Sequence, residues 1–423
     1  MVATPDVGTP VDAGAGSARS AGRPAPPAAA LRHVAVLIET SGSYGRGILQ
    51  GIAKYNRAHG GWSTFFRPEG PKTPPPAWLR GWKGDGILAR IDPRELTALS
   101  RRSRVPIVNL RGSGDALPFP HVTTDNAEVG QLAAVHLLER GLRHFALFGR
   151  PKGVNPTLDQ RGEHFQAAVG RAGFECVEFP HAPTASRRKR KPASGAAVGW
   201  EEQQDRLAAW IRGLPKPVGI MACNDELGLQ VLDACRRCAA AVPDDVAVIG
   251  VDNDVPLCDL AIPPLTSIDV NAEGIGYEAA ALLDRLMSGD RPAGAKAIKV
   301  RPRGVVTRRS TDVIASEDAD VAEAARFIRE HACRGLQVSD VLTHLGMSRA
   351  TLQQRMKQVI GRTIHQEIQR VKLNHVKQRL LDPTMTIKQV AREAGFASVQ
   401  YLTRVFHATT GETPAKYRSR RVK

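Results

Sequence analysis

Residues 338–363 read VSDVLTHLGMSRATLQQRMKQVIGRT, and residues 387–413 read IKQVAREAGFASVQYLTRVFHATTGET. Laid over one another, the two stretches repeat. Val338, Val341, Leu342 and Leu345 keep the i, i+3, i+4, i+7 spacing of one helix face until Gly346 interrupts it. Ser348 suits the N-cap of a second helix, whose apolar side is Leu352 and Met356. Forty-nine residues after the first set stand Ile387, Val390, Ala391, Ala394 and Gly395. Fifty residues after the second stand Ser398, Leu402 and Phe406, and Gly361 and Thr363 recur as Gly411 and Thr413. Each unit therefore predicts a short helix, a glycine turn and a capped second helix, which is a helix-turn-helix. The stretch 364–381 (IHQEIQRVKLNHVKQRLL) predicts one long amphipathic helix joining them.

The polar sides of the two second helices set this pattern apart from a plain pair of helical hairpins. The first carries Arg349, Gln353, Gln354 and Lys357, the second Gln400, Arg404 and His407, with no carboxylate among them. Base edges and phosphates take such donors. With the capping Ser348 and Ser398 and with Tyr401, these residues form the candidate DNA-binding set. Charge divides the chain the same way. Of 59 Lys and Arg against 42 Asp and Glu, residues 321–423 hold 19 and 7. The excess of +5 elsewhere equals the single run Arg187–Lys191 (RRKRK), so the first three-quarters is otherwise balanced. A basic C-terminal quarter is the electrostatic footprint of a double-stranded DNA partner.

Upstream, near-continuous apolar runs alternate with helix-length amphipathic stretches. The runs are HVAVLI (33–38), GDGILARI (84–91), PIVNLR (106–111), HFALFG (144–149), PVGIMAC (217–223) and VAVIGVD (246–252); the stretches lie at 45–58, 126–140, 158–172, 202–213 and 225–239. Such runs predict strands buried on both faces, hence parallel sheets covered by helices. About 280 residues is long for one doubly wound unit, and a second series begins at His144, so two successive α/β lobes with a cleft between them are expected. Residues 1–30, rich in Ala, Pro and Gly, predict a disordered tail. The expected order is then a tail (1–30), a two-lobed ligand-binding domain (31–310), a linker (311–320) that overlaps the aperiodic connector Arg308–Asp318, and the DNA-binding domain (321–423).

The stretch from Val338 to Tyr417, including Ile387-x-x-Val390-Ala391-x-x-Ala394-Gly395-Phe396, Phe406 and Gly411-x-Thr413-Pro414-x-x-Tyr417-Arg418, closely resembles the AraC-type DNA-binding domain. The resemblance implies two helix-turn-helix subdomains in adjacent major grooves and activation beside a promoter, with RNA polymerase as a partner. The N-terminal part resembles the LacI/GalR-type sensor, itself similar to periplasmic sugar-binding proteins. That likeness rests on His33–Leu37 followed by Gly45-Arg46-Gly47, on Thr124-Asp125-Asn126, Asn224-Asp225 and Gly250-Val251-Asp252-Asn253, and on Pro263-Pro264-Leu265-Thr266-Ser267-Ile268. An α/β sugar sensor fused to an AraC-type domain resembles the bacterial activators of xylose operons, which implies a homodimer and a pentose effector, D-xylose first. The 30-residue tail and the 187–191 run depart from that pattern.

Ligands of open α/β sheets bind at the carboxyl ends of strands, and a sugar needs acids, amides and a forked guanidinium. Asp252 and Asn224 close two strands of the second lobe, and Arg161 lies near the start of a helix in it; the resemblance places all three at ligand-binding positions. Asn109 after PIVNL and Tyr44, whose ring can stack on a sugar face, are added from the first lobe. Asp125 is included, although an Asp at a helix start is commonly an N-cap. A regulator with a non-sugar effector such as a purine, and a nicotinamide-dependent enzyme, stand as alternatives. Against the enzyme, Gly42-x-x-Gly45-x-Gly47 is not a dinucleotide fingerprint, no acidic residue closes the strand expected at Trp62–Arg67, and there is no Walker A, HExxH or GxSxG. No catalytic residue and no cofactor are expected. The six cysteines include one lone CxxC (Cys235, Cys238), which predicts neither a disulfide framework nor a metal site. No apolar run approaches the roughly 20 residues of a membrane helix. The N-terminus has no charged-then-apolar leader pattern, so a cytoplasmic protein without a membrane partner is expected.

Overall fold

The structure is a computed structural model and describes residues 31–67, 79, 81–92, 96, 105–111, 120–181, 196–290, 297–313, 318–380, 382 and 384–421. The tail expected at 1–30 and the basic run Arg187–Lys191 lie outside the described residues. Mixed α/β architecture fills the N-terminal part and helices alone the C-terminal part.

The first sheet has six strands in the order β2 (Trp62–Phe66), β1 (Arg32–Leu37), β3 (Gly86–Ala89), β4 (Ile107–Asn109), β5 (His121–Thr124) and β11 (Ala297–Val300), all parallel. The second also has six, in the order β7 (Cys176–Glu178), β6 (His144–Phe148), β8 (Val218–Ala222), β9 (Val246–Val251), β10 (Thr266–Asp269) and β12 (Gly304–Val306), with only β12 antiparallel. Every residue of β8 and β9 is buried, as expected of central parallel strands that read as unbroken Val, Ile and Ala.

The two lobes are not successive. The first comprises β1–β5 with α1 (Ser43–His59), together with α7 (Ala272–Met287) and β11, both of which lie beyond the second lobe in sequence. The second holds α2 (Asn126–Leu138), β6, α3 (Pro156–Arg171), β7, α4 (Ala196–Gly213), β8, α5 (Asp225–Arg237), β9, α6 (Val255–Leu260), β10 and β12. The chain thus passes between lobes three times, at 124–126, 269–272 and 300–304. Periodicity shows that a helix has an apolar face but not which sheet that face covers, and α7 is absent from the helical stretches named from sequence. Ile275, Ala279, Leu282 and Leu283 carry its signal, behind the N-cap Asn271.

Glycine lets α1 and α7 cross with their backbones in contact. A methyl group at Gly51 would stand 1.9 Å from the Glu273 carbonyl oxygen, and one at Gly276 2.0 Å from that of Ile48.

In the C-terminal part, α8 (Ala319–His331) precedes α9 (Val338–Leu345) and α10 (Arg349–Ile360), the first helix-turn-helix. The second is α12 (Ile387–Glu393) and α13 (Val399–Thr410), followed by α14 (Pro414–Arg421). Between them runs α11 (Ile364–Arg379), two residues shorter than expected. Ile364, Ile368 and Val371 of α11 join the core of the first unit; Leu373 and Val376, with Leu380 at its end, join that of the second. Gly346 and Gly395 turn with φ of 62° and 68°.

The connector is not a free tether. Ser310 and Thr311 are fully buried and Val313 packs in the second lobe's core. The Ser310 hydroxyl donates to the Val248 carbonyl at 2.6 Å and accepts from the Thr266 amide at 2.8 Å. Residues 314–317 lie outside the described residues.

Overpacking of a core is worth about 1–3 kcal/mol, and the contact at Gly276 is to backbone, which no rotamer change relieves. Gly276→Ala is expected to lower stability by about 3 kcal/mol, read as a fall in the urea midpoint. An unchanged midpoint would show that α1 and α7 separate without cost.

Candidate functional site: the inter-lobe cleft and the two reading helices

Strand ends from both sheets converge on the space between the lobes. In the second lobe the guanidinium of Arg161, 3% exposed, is fixed on three sides. Nη2 donates to Asp252 Oδ1 at 2.9 Å, Nη1 to the Cys223 carbonyl at 2.9 Å and Nε to Asn126 Oδ1 at 3.3 Å. Burial opposes the charge on Arg161, but the adjacent Asp252 carboxylate outweighs it and holds the pKa above its ordinary value. Asp252 has φ of 107° and Asn253 of 50°, left-handed conformations uncommon outside glycine, and they aim successive side chains in different directions.

Tyr44, near the start of α1, packs against the cores of both lobes. Burial raises its pKa, while the positive charges of Arg90 and Arg161 pull the other way. The Arg90 guanidinium lies 4.9 Å from the Tyr44 ring centroid and 3.2 Å from a Glu39 carboxylate oxygen. Glu39 and Arg90, which follow β1 and β3, were missing from the residues picked by sequence. The strand-end rule that selected Asn109 would have found both.

The other three candidates are engaged with nearby backbone. Asn224 Oδ1 caps α5 through the Leu227 amide at 3.0 Å. Asp125 caps α2 through the amides of Ala127 and Glu128. Asn109 is buried, donates to the Arg111 carbonyl at 3.1 Å and accepts from the Arg111 amide at 3.1 Å. The structure brings Arg161, Asp252 and Tyr44 together and gives Asn224, Asp125 and Asn109 capping and loop-fixing bonds.

Behind Asp252, the buried Asp225 accepts from the Ser267 hydroxyl at 2.6 Å and the Asp254 amide at 2.7 Å. Burial, and then the negative charge of Asp252, push its carboxyl up to about 7.

On the DNA-binding side, Arg349, Gln354 and Lys357 are exposed on α10 and Gln353 is half-buried, while Leu352 and Met356 face inward. Gln400, Arg404 and His407 are exposed on α13 above buried Leu402 and Phe406. The Ser348 and Ser398 hydroxyls accept from the amides of Thr351 and Tyr401, so both are N-caps. Tyr401 is half-buried, its ring 6.0 Å from that of Phe396 and 5.2 Å from the Arg404 guanidinium. Arg355, outside the candidate DNA-binding set, turns to Asp318 and Asp320 at the start of α8.

A two-lobed binding domain with a charged cleft, joined to paired helix-turn-helix units, defines a ligand-responsive transcriptional regulator rather than an enzyme. Family models match as a periplasmic binding protein-like domain at residues 134–311, a helix-turn-helix domain at 341–420 and a XylR N-terminal domain at 33–127. The xylose operon regulatory protein of Escherichia coli K12 is 31% identical over 398 residues, spanning 92% of this chain and 97% of that one. Its counterpart in Haemophilus influenzae Rd is 31% identical over 390 residues, 91% and 97% of the two chains. A solved structure of the xylose-binding transcription activator XylR superposes with a TM-score of 0.64 at 30% identity, covering 93% of this chain and 99% of that one. A LacI family regulator from Enterococcus faecium with bound ribose, 20% identical over 66% of this chain and 98% of that one, shares the sensor fold at a TM-score of 0.51. The chain belongs to the family of xylose operon regulatory proteins, and it binds DNA and a sugar ligand. Among the described residues no helix is long and apolar enough to cross a membrane.

A carboxyl that titrates near 7 in the folded protein and near 3.8 when unfolded binds more protons in the native state between those values. Its contribution to stability therefore falls as pH rises from about 4 to about 7 and is level above that. Calorimetry of wild type against Asp225→Asn is expected to show the variant's Tm gaining on wild type from pH 5 to pH 8. A constant difference would mean that Asp225 stays ionised throughout.

Proposed function

We propose that this regulator responds to D-xylose, which binds between the lobes, and that it acts as a homodimeric activator of pentose-utilisation genes by engaging RNA polymerase. The observation that carries the ligand reading is the pair of buried Arg161 on α3 and half-buried Asp252 at the end of β9, beside a tyrosine shared by both lobes. A neutral pentose offers hydroxyls that donate to Asp252 and accept from Arg161, and its apolar face suits the Tyr44 ring. Glu39 and Arg90 supply a second charged pair from the first lobe. Asn109, Asn224 and Asp125 complete the proposed ligand set through whatever lone pairs and protons their backbone bonds leave. Each lobe has its own core, so a ligand that touches both favours the arrangement in which they are closed.

Titration calorimetry with a pentose panel tests this. Wild type is expected to bind D-xylose ahead of other pentoses. Arg161→Ala and Asp252→Ala are each expected to weaken binding at least about tenfold, since each leaves a buried polar partner unmatched at roughly 1–3 kcal/mol. Wild-type affinity in both variants would refute the site, and no heat with any pentose would refute the ligand.

For DNA, we infer that α10 and α13 enter successive major grooves about 34–36 Å apart, so that one subunit reads a bipartite, non-palindromic half-site. Ser348, Arg349, Gln353, Gln354 and Lys357 form the first reading face; Ser398, Gln400, Tyr401, Arg404 and His407 form the second. The shared helix α11 supports this, because it is built into both cores and ties the readers into one body. In the full chain, Arg349→Ala and Arg404→Ala are each expected to cost about 1–3 kcal/mol at separate base pairs. Lys357→Ala is expected to weaken all sequences alike. Loss of preference at the same base pair in both arginine variants would show that the two readers share one groove.

A further inference from the structure

We propose that Asp254 is a positioning residue for sugar binding: it holds the lobes closed by capping helix α1 across the cleft, without touching the ligand. The inference rests on the sugar-binding reading of the cleft given above.

Asp254 is the N-cap residue of α6, yet its side chain makes no capping bond to that helix. Asp at an N-cap ordinarily accepts from an amide of its own first turn. Here Oδ2 instead accepts from the Ser43 amide in the other lobe, at 3.2 Å. The receiving end is equally unusual. Helix α1 starts behind Gly42, has no side-chain cap of its own and carries no acidic residue in its first turn. Its first amides and the positive end of its dipole are thus left for a carboxylate from elsewhere. Asp254 is 7% exposed, so the contact is shielded from solvent.

The same turn explains why this contact reports on the ligand. Asp252, Asn253 and Asp254 follow β9 in sequence, and the two left-handed residues send the three side chains apart. Asp252 meets Arg161 in the proposed sugar site at 2.9 Å. The Asn253 side-chain oxygen Oδ1 accepts from Arg308 Nη2, at the start of the connector, at 2.9 Å. Asp254 crosses to the first lobe, its own amide anchored on Asp225. A group gripping Asp252 therefore fixes the turn from which the cross-lobe cap extends. Opening the lobes removes the cap from α1 and leaves its first amide to water. The cap accordingly favours the closed state, and the population of that state scales the apparent sugar affinity.

Two variants test this from opposite sides of the contact in the full-length protein. Asp254→Ala removes the acceptor. Ser43→Pro removes the donor while suiting the helix, because proline is favoured at the first helical position and Gly42 before it is already extended (φ −97°, ψ 159°). Calorimetry with D-xylose is expected to show each variant binding about tenfold more weakly than wild type. The double variant is expected to be little worse than either single one, since both delete the same bond. Melting of the sugar-free protein is expected to be nearly unchanged, with a smaller rise on adding D-xylose. Wild-type affinity in both variants overturns the assignment while leaving the sugar site intact. So does a fall in sugar-free Tm that accounts for the whole loss, which would make Asp254 an ordinary packing residue. Absence of pentose binding by the wild-type protein removes the cleft reading and this assignment together.

Discussion

Three short crossings between the lobes constrain everything that the sensor can do. The segments at 124–126, 269–272 and 300–304 run side by side and bond to one another. The Asp125 amide donates to the Val300 carbonyl at 2.9 Å, the Arg303 amide to the Asp269 carbonyl at 2.8 Å, and the Thr124 hydroxyl to the Val270 carbonyl at 3.4 Å. Each lobe closes its own apolar core around its own sheet. Close-packed cores deform little, so relative motion is confined to rotation of two rigid bodies about the crossings. Glu39, Arg90 and Asp252 at strand ends, with Arg161 on α3, face the space which that rotation opens and closes.

Among the described residues, the output side is fastened to the second lobe. His136 and Thr266 both meet the Thr311 hydroxyl, and Arg140 donates to the Thr311 carbonyl at 2.6 Å, so the connector is part of the second lobe. From the DNA-binding domain, Arg329 reaches Asp244 at 2.6 Å and Arg370 reaches Asp312 at 2.9 Å. Arg370 also pairs with the buried Glu367, whose carboxyl would be pushed up by burial but is held below its ordinary range by Arg370 and Arg362. Buried charges of this kind are tolerated only when paired, which makes the junction specific in geometry rather than a source of net stability. The first helix-turn-helix is thereby anchored on the second lobe, and α11, built into both cores, ties it to the second unit.

Much of this was legible in the chain. The duplicated helix-turn-helix follows from local signals, namely i, i+3, i+4, i+7 spacing, Ser348 and Ser398 as caps, and Gly346 and Gly395 at the turns, and these act within one or two turns of a helix. The parallel sheets follow from unbroken Val, Ile and Ala runs such as VAVIGV. Candidate ligand residues followed from strand ends, a rule that found Asp252 but stopped short of Glu39 and Arg90, and from the family resemblance, which added Arg161 on a helix.

Tertiary structure alone decided which sheet each element joins. An apolar face has no address, so α7 and β11 returned to the first lobe against a linear reading. Polar residues in loops are equally ambiguous from sequence, since an Asp before a helix reads as a cap whether it serves that helix or another. Asp125 and Asn224 cap the helices that follow them, whereas Asp254 turns away from its own helix toward Ser43. Residues 309–313 read as an aperiodic tether because their burial comes from hydrogen bonds to β9 and β10, contacts that leave no period in the sequence. Local pattern therefore determined the elements and the chemistry at their ends, and only long-range packing determined how two lobes and two DNA-reading units are joined.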